Sequence, residues 1–141
     1  MASLHEKIIA ASAIKNAALA NYFSIALDAQ LMKQVQEEAN AVSEAEAIAA
    51  AQEVGLLVES LDRRNGLLWW RFGIAVELEH GLANIVTNVT NNDILITAKI
   101  ALAHIREFPD YYQRLAVMER DAMEFWNRAG KPRVLGEKCK K

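Results

Sequence analysis

Between Glu77 and Tyr112 the chain reads ELEHGLANIVTNVTNNDILITAKIALAHIREFPDYY, and its punctuation leaves little freedom in how it folds. Residues 66–80 contain no proline and stop just before Gly81, so the spacing predicts a helix that ends at a left-handed glycine. The run Thr87–Asp93 follows. Its Asn and Asp side chains offer the backbone local hydrogen bonds, and Thr does so more weakly, which favours a turn over a helix interior. Asn92 or Asp93 is the expected N-cap of the next helix. Residues 94–107 place Ile94, Leu95, Ala98, Ala101, Leu102 and Ile105 on one broad apolar face at helical spacing. Pro109 ends that helix near Glu107, because the residue before a proline avoids the α region. Proline also suits a first helical turn, so another helix starts at once, with Asp110 at its positive end.

The same stretch carries the candidate chemistry. Glu77 and His80 lie three residues apart on one helix, and His104 and Glu107 lie three apart on the next. Side chains at that spacing share a face. If the two helices pack antiparallel, both pairs can meet. Carboxylate and imidazole from neighbouring helices resemble part of a carboxylate-bridged metal site, and this donor set suits zinc, iron or manganese. A variant of the same reading uses Glu79 in place of Glu77. Against it, a complete two-metal bundle draws ligands from four helices, and only two such pairs are present. A Glu and a His near a helix end also make an ordinary polar pair or a cap, in which case no cofactor is bound.

The segments VELEHG, TNVTNND, AKIALAHIREF and PDYYQRL, preceded by EAEAIAAAQEVGL, resemble the DUF5661 family over about residues 44–124. The resemblance implies a small helical domain found in bacteria, tailed phages and other viruses, with no established activity. It therefore implies an architecture and a phage context, and no catalytic residues. The chain departs from the family pattern at Asn92-Asp93-Ile94, where Asp-Asp-Pro is expected, and at Ala98, where Gly is expected.

The remaining residues also read as helix. Two prolines and six glycines are few breakers for 141 residues, and no run alternates as a strand would. Ser3 with Glu6 and Ser43 with Glu46 match the capping-box pattern. Residues 3–38 are expected as one long Ala-rich helix, apolar on most sides, with Lys15 the only charge from Ile8 to Leu27. Such a helix needs cover on most sides. Either it bends, or residues such as Ile8, Ile14, Tyr22 and Phe23 pack on another chain. Ser12, Asn16, Asn21 and Ser24 interrupt the run, so a membrane span is not expected. Glu6 offsets Lys7, so a secretory leader is not expected either. Gly55 is the expected C-terminal stop of the helix opened at Ser43. Trp69 and Trp70 point about 100° apart on a helix, which predicts one indole in the core and Trp69 at an edge or partner surface. In the last helix Tyr111, Leu115, Met118, Ala122, Phe125 and Trp126 are the expected core face, with Glu119 facing water.

The net charge of −2 is unevenly spread: residues 128–141 sum to +5 and residues 1–127 to −7. An acidic body argues against general nucleic-acid binding, leaving the tail, with Arg128, Lys131 and Arg133, as the only place for an acidic partner or a phosphate backbone. A solvated tail is the simpler reading. The single cysteine, Cys139, cannot form an internal disulfide. No phosphate-binding loop, HExxH, CxxC or nucleophile-elbow motif is present.

Together these features predict an all-α bundle of about five helices, at 3–38, 43–54, 62–80, 93–107 and 109–128. Residues 1–42 form an extension, 43–128 the bundle and 129–141 a basic tail. The expected function is a non-enzymatic structural protein, a small virion component that joins other protein subunits or copies of itself through its N-terminal helix and its tail. The expected location is the virion or the cytoplasm, without secretion. The alternative is a metal-binding domain or metal-dependent enzyme built on Glu77, His80, His104 and Glu107.

Overall fold

The computed structural model describes residues 27–61, 65–130 and 132. Among them are five α-helices and two short 3-10 turns, with no strand. The helices are α1 (Ala29–Ala39), α2 (Glu44–Val54), α3 (Gly66–Glu77), α4 (Ile94–Glu107) and α5 (Tyr111–Ala129). The turns are Val58–Ser60 and Leu78–His80.

Most helix ends follow the local chemistry of the sequence. Ser43 and Glu46 form the full capping box, with Ser43 Oγ accepting from Glu46 N at 3.1 Å and Glu46 Oε2 accepting from Ser43 N at 3.0 Å. Gly55 ends α2 in the left-handed region at φ 74°. Asp93 caps α4 by accepting from Ile96 N at 2.8 Å. Phe108, before the proline, is extended, and α5 begins at Tyr111.

Asp28 overturns the single long N-terminal helix. Its backbone is extended (φ −68°, ψ 164°) and its carboxylate caps α1 by accepting from Leu31 N at 2.8 Å. A continuous helix cannot pass through an N-cap. Ile8, Ile14, Tyr22 and Phe23, with the Ser3–Glu6 capping pattern, lie outside the described residues, as do Lys131, Arg133 and Cys139. Arg128 lies exposed in the last turn of α5. Helix α1 belongs to the bundle itself: its Leu31, Val35 and Ala39, with Val42 in the turn that follows, are buried in the same core as α3. The packed unit therefore starts ahead of residue 43.

Helix α3 is the centre. From Trp69 onward nearly all of its residues are buried, Arg71 excepted. It packs against α1, α2, α4 and α5, most extensively against α1. A helix apolar on all sides needs this position. Trp69 is accordingly not a surface residue: it is 5% exposed and stands edge-on to Phe72 with centroids 5.6 Å apart. Trp70 is fully buried, and its indole N–H donates to Ala47 O at 2.8 Å. Arg71 reaches back to the α1–α2 turn, donating to Val42 O at 2.9 Å and Asn40 Oδ1 at 3.3 Å.

Helix α5 turns a different face inward than its apolar spacing predicts. Tyr112, Gln113 and Ala116 are buried, whereas Met118 and Phe125 are 59% and 58% exposed. Leu95, expected inside α4, is exposed, and Thr97 takes the buried position, its hydroxyl donating to Asp93 O at 2.6 Å.

Candidate functional site

Both Glu/His pairs of the sequence converge at the C-terminal end of α3. Glu77 is the last residue of α3 and is 4% exposed. The Tyr112 hydroxyl donates to its Oε1 at 2.8 Å. His104 Nε2 stands 3.6 Å from the same oxygen, and His80 Nε2 stands 3.9 Å from Oε2. On its other side His104 Nδ1 lies 3.5 Å from Glu107 Oε2. The His104 ring stacks on Tyr111 with centroids 4.4 Å apart. One buried carboxylate is thus faced by groups from the following turn, from α4 and from α5.

Glycine makes this approach possible. Gly73 sits one turn before Glu77, and a Cβ there would stand 2.7 Å from Tyr112 Cε2. Burial, and next the Glu77 carboxylate, push the Tyr112 hydroxyl well above the ordinary tyrosine range, so it stays a donor. Burial and the charges of Glu77, Glu107 and Glu119 raise Tyr111 as well.

A second acidic group adjoins the first. Burial, a hydrogen bond with Glu79 and the charges of Glu79 and Glu119 raise Glu38 from 4.5 to about 7. Burial and the charges of Glu79 and Glu77 do the same to Glu119, which therefore faces other carboxylates and not only water. A carboxyl whose folded pKa lies above its unfolded value holds extra protons when folded. Its contribution is full below about pH 4.5 and is lost as pH rises through about 7. The expected result is a urea midpoint that falls between about pH 5 and pH 7.5 in the parent chain and falls less in the Glu38→Gln, Glu119→Gln double variant. An equal fall in both would show that these two carboxyls do not titrate in that window.

The loop after His80 is cross-braced by asparagines. His80 O accepts from Val89 N at 2.6 Å and Thr90 N at 3.3 Å. Asn92 Oδ1 accepts from Leu82 N at 2.9 Å, and Asn88 Oδ1 from Asn91 N at 2.9 Å. Asn91 and Asn92 take the positive φ values of 53° and 61°. Gly81 does not: its φ is −106° and ψ −139°. Glycine is required there for closeness, since a Cβ would overlap Asn92 Oδ1 and stand 3.0 Å from Thr90 Oγ1. The braced loop holds Leu82, Ile85, Val86 and Val89 outward at 59%, 77%, 41% and 77% exposure. An open cleft of about 450 Å³, lined by Ala75, Leu78, Glu79, Leu82, Ala83 and Asn92, runs beside it.

The structure therefore brings Glu77, His80, His104 and Glu107 together, as the two i, i+3 pairs predict. Among the described residues no group of three or more His, Cys, Asp or Glu side chains is arranged to hold a metal ion. Sequence reasoning missed Tyr111, Tyr112, Glu38 and Glu119 as members of this region. The adjacent tyrosines after Pro109 were the available signal, but they read equally as core. Also among the described residues, no helix is long and apolar enough to cross a membrane. A family model described as a protein of unknown function, DUF5661, matches residues 45–121. No curated protein and no solved structure matches the chain.

Proposed function

The chain belongs to the DUF5661 family, and from that premise we propose that it is a non-enzymatic assembly protein that joins protein subunits, as a small component of a phage particle. The observation that carries this reading is the loop of residues 81–92. Its backbone is tied down by asparagine side chains, yet Ile85 and Val89 are each 77% exposed. Leu95 and Ile96 at the start of α4 are exposed as well. Apolar side chains held out on a fixed frame suit a docking surface, because little conformational entropy is lost when a partner covers them. The Glu77 cluster then serves the fold, joining the end of α3 to α4 and α5.

Native mass spectrometry of the full chain tests this. An oligomer, or a defined complex with a subunit from the same particle, is expected, and the Ile85→Asp, Val89→Asp variant should reduce it to the free monomer. A parent chain that stays monomeric and without such a subunit overturns the reading.

A second reading, a metal-binding domain, is favoured by one observation: the imidazoles of His80 and His104 face different oxygens of the buried Glu77 carboxylate. Zinc, iron or manganese would be taken between them, with Glu107 orienting His104 from behind. The same mass spectra decide it. A stoichiometric metal adduct lost in His104→Ala supports this reading, and metal-free protein whose stability ignores chelator removes it.

A further inference from the structure

Asn65 and Gly66 form the one Asn-Gly pair in the sequence. Asparagine is thermolabile, because the backbone nitrogen of the next residue can attack its side-chain carbonyl carbon. A side chain on that next residue obstructs the attack, and glycine has none. The asparagines that brace the loop are followed by bulkier residues: Asn88 by Val89, Asn91 by Asn92 and Asn92 by Asp93. Asn88 and Asn92 are also held in place, since their Oδ1 atoms accept from Asn91 N and Leu82 N, both at 2.9 Å.

Asn65 has neither protection. It is the exposed N-cap residue of α3, and its side chain makes no capping hydrogen bond. Gly66 N is the first amide of that helix, so it has no intrahelical acceptor. Helix ends fray, which frees the backbone between the two residues to rotate. The packing also fixes the glycine. Gly66 is buried, and a Cβ there would overlap Val58 O in the turn Val58–Ser60. No residue that would block the attack fits at position 66, so the fold itself keeps the labile pair at the head of its central helix.

We propose that Asn65 is a site of spontaneous deamidation, which converts it to aspartate and isoaspartate. Gly66 N forms a bond to Asn65 Cγ, the Cγ–Nδ2 bond breaks, and ammonia leaves with the proton of Gly66 N–H. The product is a succinimide ring. Water then opens the ring at either carbonyl carbon, leaving its hydroxyl on that carbon and returning a proton to Gly66 N. Opening at Cγ gives aspartate, and opening at the backbone carbonyl gives isoaspartate, whose main chain runs through the side chain. The two products act oppositely on α3. Aspartate puts a carboxylate at the positive end of the helix, where it supplies the missing cap. Isoaspartate adds a methylene to the main chain next to Gly66, which has no room to shift against Val58 O.

The test is ageing of the full, folded chain in mildly alkaline buffer, with peptide mapping by mass spectrometry and enzymatic methylation to locate isoaspartate. Asn65 should lose its amide about tenfold faster than Asn88 or Asn92, with isoaspartate at that position. Asn65→Gln, whose longer side chain closes a ring far more slowly, should abolish the methylation. Survival of the Asn65 amide for as long as those of Asn88 and Asn92 would overturn the proposal. So would aspartate formed without isoaspartate, which would mean direct hydrolysis with no attack by Gly66. Urea midpoints read the consequence: the isoaspartyl form should unfold below the parent, and Asn65→Asp at or above it. An isoaspartyl form as stable as the parent would overturn the effect assigned to the first turn of α3.

Discussion

Trp70→Ala is expected to cost about 3–5 kcal/mol of folding stability, the range for truncating a large buried aromatic. Trp70 is fully buried on the central helix, which packs against the four others, so the cavity opens inside the core. The change also removes the donor that serves Ala47 O at 2.8 Å. Ala47 O lies inside α2 and keeps its helical bond from Ala51 N, so the lost second donor adds less than the cavity does. Stability of a single domain totals only about 5–15 kcal/mol, so this one substitution consumes a large part of it. Urea unfolding of parent and variant measures the effect. A loss below about 1 kcal/mol would mean that the core collapses around the gap, contrary to the packing described.

Tyr112→Ala is expected to be of the same order, about 3–5 kcal/mol. Here the loss has two parts that can be separated. The ring is 1% exposed, packs edge-on to Phe72 and lies against Gly73. The hydroxyl serves Glu77 at 2.8 Å. Tyr112→Phe keeps the ring and removes only the donor, which leaves a buried carboxyl short of one hydrogen bond and should cost about 1–3 kcal/mol. Denaturant titration of both variants gives the split. If the Phe variant matches the parent, the Glu77 carboxyl finds its partners in His80 and His104, and Tyr112 acts by packing alone.

What could be read in the sequence was decided within a few residues. Ser43 with Glu46, Asp93, Gly55 and Pro109 act on backbone groups one to four positions away, so their helix ends are legible. The two Glu/His pairs are legible for the same reason, because i and i+3 share a face. The face of α5 was not. Its sequence supports two inward faces, and the one chosen depends on Tyr112 reaching Glu77, 35 positions earlier, across Gly73. Asp28 also acts only three positions away, capping Leu31 N, but it lies in a run of helix-compatible residues that reads equally as continuous helix. Trp69 looked like a surface anchor because the number of neighbours around α3 is a property of the whole bundle. Gly81 looked like a left-handed stop, while its actual constraint comes from Asn92, eleven positions on.

The central place of α3 bears on how this small protein comes apart. Its buried faces are shared among α1, α2, α4 and α5, so no one of these helices can detach without wetting part of it. Arg71 ties the α1–α2 turn to the same helix, and Glu77 ties α4 and α5 to its end. Partial opening then has no stable resting point inside the bundle. The bundle is expected to unfold cooperatively, with amide hydrogens in the middle of α3 exchanging with solvent only when the whole bundle opens.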